Sequence, residues 1–196
     1  MIVSMEEDSL LKKYNQIYLE VILRYKEHIE QNENLNVAEL PKLITPTDEN
    51  VITSANKIKS TFDNYSYNSN FLAAAKLAYE FVTNHISQVS LPIEFWLYPA
   101  DTIKCEAGDV FDKATLLCSI MIALGNPSSR VISSVKPNER RFMVYCEFDG
   151  VVFAFDLDRG LIKFESKEKL IESLVLKEND DTTAYEFNDK MYENLV

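Results

Sequence analysis

Gly108-Asp109-Val110-Phe111-Asp112-Lys113-Ala114-Thr115-Leu116-Leu117-Cys118-Ser119 leads from a turn into an apolar segment that runs on to Leu124. Gly125 stops it in the position where helices commonly end, and Pro127 follows. The spacing predicts a strongly apolar helix over 110–124, and a helix with so little polar surface belongs in a core. Immediately before it, Lys104-Cys105-Glu106-Ala107 reads as a turn-like approach. Residues 89–98 carry Leu91, Pro92, Phe95, Trp96 and Leu97, are closed by Pro99, and read as an extended, partly buried connector.

Beyond Gly125 the period changes from helical to alternating. Residues 129–135, 141–148 and 151–157 are rich in Val, Phe and Tyr and are predicted as strands. Asp149-Gly150 between the second and third is a two-residue hairpin signal. A closing helix is expected over 167–174, and the polar residues from Glu178 onward take no assigned element. Toward the N-terminus, Leu10, Tyr14, Ile17, Val21, Tyr25 and His28 recur at three- or four-residue steps and predict a packing helix over 4–32. A short helix is expected over 37–43, and Asp48 is placed to cap another over 49–62. A further helix is expected over 70–86. Helices first and a small antiparallel sheet last define an α+β class in one domain. Its parts are a helical extension (1–43), a core (44–157) and a C-terminal helix and tail (158–196).

The bulk composition narrows the function. With 196 residues, 46% hydrophobic and 26% charged, the chain builds one sizeable core. A net charge of −11 argues against nucleic acid or anionic membrane as a partner. No basic, apolar leader and no long apolar run are present, so a cytoplasmic soluble protein is expected. Three cysteines at irregular spacing (Cys105, Cys118, Cys146) form no disulfide framework and no zinc signature, and no metal or cofactor is expected.

The order of elements suits a thiol site, in which a nucleophile opens a helix whose dipole favours thiolate. A base comes from one strand and an orienting carboxylate from the next. Here the sequence resembles the transglutaminase-like superfamily of papain-type fold. The resemblance rests on residues 96–102 and 108–119, on Ala123-Leu124-Gly125 and Arg130-Val131, and upstream on residues 45–51 and 79–82. It covers roughly residues 44–157. The family's segment runs Pro-x-x-Thr, then Gly-Asp-Cys, an acidic residue, Ala and Leu-Leu. Carried across one residue at a time, it places the nucleophilic cysteine at Val110, the base histidine at Arg141 and the third member at Asp156. The aromatic expected two residues after the histidine is Met143.

Valine offers no nucleophile, and arginine stays protonated and cannot serve as a base. Removing a triad's nucleophile costs on the order of 10⁶ in rate, and losing the base as well adds little. The resemblance therefore implies a degenerate, non-catalytic domain that binds a protein or peptide partner or serves as a structural module. An Arg141–Asp156 ion pair across neighbouring strands is the expected replacement for the His–Asp pair. The alternative is a divergent thiol hydrolase or acyltransferase using a displaced nucleophile, with Cys105 as the fallback and His85 as a substitute base. Cys118 reads as a small core residue. Cys146 is one step out of parity with Arg141 and should face away from the site. Trp96, with Phe95, is a candidate groove residue, and Asp109 and Asp112 are candidate binding carboxylates at the helix start.

Overall fold

The computed structural model describes residues 5–29, 37–90, 96–136, 139–174 and 183–195. The central element is α5 (Val110–Ala123), and Phe111 to Met121 are all buried along it. On one side it packs against α2 (Glu49–Lys59) and α3 (Tyr67–His85), on the other against the sheet. Asp48 caps α2 as expected, accepting from the backbone N–H of Asn50 at 2.8 Å. Residues 37–43 form a 3-10 helix, Val37–Leu43.

The sheet has six strands in the order β6-β5-β4-β3-β7-β8, every neighbouring pair antiparallel. They are β3 (Arg130–Lys136), β4 (Glu139–Phe148), β5 (Val151–Asp156), β6 (Gly160–Phe164), β7 (Thr183–Phe187) and β8 (Tyr192–Asn194). The β4–β5 turn is the expected hairpin. Asp149 and Gly150 have φ of 53° and 72°, the left-handed pair that a tight turn matched to sheet twist requires. Phe142, Val144, Cys146, Phe155 and Phe187 meet the α5 side of the core. The opposite face carries Ile132, Met143, Tyr145, Val152 and Ala154 and is covered by Leu170 and Leu174 of α6 (Lys167–Leu174).

Three segments differ from the sequence reading, the first being β6 (Gly160–Phe164), which no predicted strand covered. The approach to α5 contains a helix, α4 (Pro99–Cys105), between two short parallel strands, β1 (Ser87–Gln88) and β2 (Ala107–Gly108). Pro99 sits in the first turn, where its missing N–H costs nothing, and Glu106 ends the helix with a left-handed φ of 49°. The stretch read as a tail supplies β7, which pairs with β3 inside the sheet, so it builds part of the core. The long helix α1 (Met5–Ile29) rests on this region through Ile17 and Val21, which meet Val89, Leu97, Cys105 and Ala107. Lys13 donates to Ser87 Oγ at 2.7 Å and fastens it to β1. Among the described residues, no helix is long and apolar enough to cross a membrane.

Candidate functional site

Val110 is the first residue of α5 and is half-buried. Asp109 before it is the N-cap, and with Asp112 it forms a reciprocal capping box. Asp109 Oδ1 accepts from the Asp112 N–H at 2.8 Å, and Asp112 Oδ2 accepts from the Asp109 N–H at 3.0 Å. The other Asp112 oxygen takes the Leu97 N–H at 2.8 Å, which ties the connector to the helix start. Both oxygens of Asp112 are thus engaged inside the protein, and the residue is 0% exposed. Its burial, and then the charge of Asp109, push its carboxyl well above the usual range. Burial raises Asp109 too, while the charge of Arg140 pulls it the other way. Gly108 is required by close packing, because a Cβ there would lie 2.8 Å from Asp112 Cβ.

Trp96 and Phe142 meet Phe111, the second residue of α5. Ring centroids lie 5.0 Å apart for Trp96–Phe111 and 5.3 Å for Phe111–Phe142, the latter edge to face. Trp96 is half-buried. Phe95, its expected companion, lies outside the described residues.

Arg141 and Asp156 come together. Arg141 Nε and Nη2 both donate to Asp156 Oδ2, the former at 3.0 Å. Asp156 Oδ1 accepts from the N–H groups of Asp158 and Arg159 at 2.9 and 3.0 Å, and Tyr79 Oη donates to its carbonyl at 3.1 Å. Burial alone would raise this carboxyl. The Arg141 and backbone hydrogen bonds outweigh it and hold the group below its ordinary value.

Strand parity separates this pair from Val110. Phe142 points at α5, so its neighbours Arg141 and Met143 point to the other face. Met143 is the direct register partner of Asp156, which therefore shares that face. Cys146 is out of step with Arg141, as expected. The consequence is reversed, because Cys146 faces α5 and Arg141 faces away.

All three thiols are buried. Cys105 ends α4, 4% exposed, among Ile17, Val21, Val89, Leu97 and Ala107, and is not the loop residue its surroundings suggested. Burial pushes the Cys146 thiol up to about 12, and burial also raises Cys118 strongly. His85 is exposed at the end of α3 and stacks on Phe81, with centroids 5.4 Å apart. Among the described residues, no three His, Cys, Asp or Glu side chains gather as metal ligands.

The sequence reading missed two charged groups. Lys113, in the second turn of α5, is 5% exposed and makes no hydrogen bond or ion pair among the described residues. Glu186 on β7 is fully buried and takes Arg130 Nη1 at 2.7 Å, Lys167 Nζ at 2.9 Å and Tyr145 Oη at 2.6 Å. Nothing local in the sequence marks either charge as buried.

A buried central helix packed on an antiparallel sheet is the arrangement of the transglutaminase-like, papain-like fold. Solved structures agree. Legionella pneumophila LapG matches with a TM-score of 0.53 at 14% identity, covering 84% of this chain and 90% of that one. An EGTA-treated form of Legionella pneumophila LapG matches equally, covering 84% and 88%. At this identity the likeness defines the fold alone. No protein-family model matches the sequence, and no curated protein does.

Proposed function

We propose that this chain is a non-catalytic transglutaminase-like domain that binds a peptide or a peptide segment of a partner protein. The observation that carries the reading is the side chain at the head of α5. Val110 stands where the sequence resemblance puts the nucleophile, and all three thiols of the chain are buried elsewhere. Arg141 and Asp156, which the resemblance assigns as base and orienting carboxylate, pair with each other on the sheet face away from Val110, and arginine cannot accept a proton. The half-buried Trp96 packs beside Phe111 in the first turn of α5 and offers an aromatic surface there.

The thiol-hydrolase alternative needs Cys105, 4% exposed in its cluster, to become accessible to substrate. A buried thiol in apolar surroundings is inert, and His85 is occupied in stacking on Phe81. The test is selection of displayed random peptides on the immobilised full chain, followed by mass spectrometry of the recovered peptides. The reading expects intact peptides whose retention falls on Trp96→Ala. Cleaved or acyl-transferred peptides, or no enrichment at all, would contradict it.

A further inference from the structure

Lys113 is the charged group of this region that the fold does not account for. It lies one turn after Val110, on the same helix face. Helical side chains lean toward the N-terminus, which brings the Lys113 stem over Val110. The amine lies within electrostatic reach of Asp158, in the turn that follows β5. Asp158 is exposed and forms no ion pair with it.

Among the described residues, the carboxylates at the head of α5 and at the end of β5 are engaged elsewhere. Asp109 and Asp112 hold backbone N–H groups, and Asp156 holds Arg141 and two backbone N–H groups. A lysine nine-tenths buried without a counter-ion is costly unless something pairs with it. Burial accordingly weakens its hold on the proton, and the charge of Asp158 only partly restores it.

We propose that Lys113 is a ligand-binding residue and that it takes a carboxylate of the bound peptide, with Val110 as an apolar floor beside it. This rests on the peptide-binding reading above and names the chemistry that the site recognises. The carboxylate is either a chain terminus or an Asp or Glu side chain. In both cases the ligand supplies the charge that Lys113 lacks among the described residues.

The experiment is a titration of the full chain by amide NMR with three probes. One is acetyl-alanyl-alanine with a free C-terminus, one is its amide, and one is acetyl-glutamyl-alaninamide. The proposal expects shifts at residues 110–114 and 157–159 with at least one carboxylate probe, and binding of the amide weaker by about tenfold or more. The stronger of the two acids identifies the source of the carboxylate. Lys113→Met should lose the preference while its spectrum elsewhere shows an intact fold, and Lys113→Arg should keep it.

As a readout on the unmutated protein, the favoured acid should slow acylation of Lys113 by an amine-reactive reagent without slowing that of exposed Lys163. Equal binding of the amide, unchanged binding by Lys113→Met, or no protection of Lys113 would overturn the proposal and leave the peptide reading standing. No shifts with any probe would overturn both.

Discussion

Two arginine–carboxylate pairs sit on the same face of the sheet and are built by the same geometry. Glu186, Ile132, Met143 and Asp156 form one cross-strand row from β7 to β5. Arg130 stands two residues before Ile132, the partner of Glu186, and Arg141 two residues before Met143, the partner of Asp156. Each arginine thus reaches its acid on the diagonal. The surroundings differ. Glu186 is fully buried and answers to three side chains, including Tyr145, whose hydroxyl is raised by burial and then by its bond to Glu186. Asp156 answers to one side chain and two backbone N–H groups. The pair to which the sequence resemblance pointed is therefore one instance of a device this sheet uses twice. Its chemistry is that of a cross-strand clamp.

The comparison can be broken by removing one member of each pair. Glu186→Ala leaves Arg130 and Lys167 without their shared anion and should cost about 3–5 kcal/mol in urea unfolding. Arg141→Ala leaves Asp156 with its two backbone donors and should cost less, about 1–3 kcal/mol. A larger loss at Arg141 than at Glu186 would undo the ranking.

The Arg141 effect should also depend on pH. The Asp156 carboxyl is depressed in the folded state, so its contribution is present above the unfolded value, about 3.9. It is lost as pH falls through the lower folded value. The gap between wild type and Arg141→Ala should close in acid when measured by denaturant midpoint. A gap unchanged at low pH would mean that the arginine acts through packing alone. Asp109→Ala, which removes the cap of α5, should cost about 1 kcal/mol. The smallest effect is expected from Val110→Cys, about 0.5 kcal/mol or less. Its new thiol, at a helix start, should alkylate faster than the three native ones without producing turnover.

The parts of the fold legible in sequence are those set by local patterns. The apolar run ending at Gly125, the Asp149-Gly150 turn and the Asp48 cap each carry their signal within a few residues. The Arg141–Asp156 pair was legible because two strands and a short hairpin fix their distance. Which face the pair occupies was not legible, because it depends on which parity meets α5, a tertiary choice made by Phe142 on Phe111. Helix α4 was hidden because Pro99 reads equally as the end of an extended segment and as the first turn of a helix. Glu186 lies in the polar stretch from Glu178 onward that took no assigned element. It is buried because α6 lies over that face, so polar residues there turn into a covered layer.

The central claim is that no thiol in this protein is placed to act as a nucleophile. Timed alkylation of the native chain with iodoacetamide, read at each cysteine by mass spectrometry, tests it most directly. The account predicts that Cys105, Cys118 and Cys146 all react far more slowly than a free model thiol and catch up only on unfolding. Cys105 reacting as fast as the model thiol in the folded protein would contradict it.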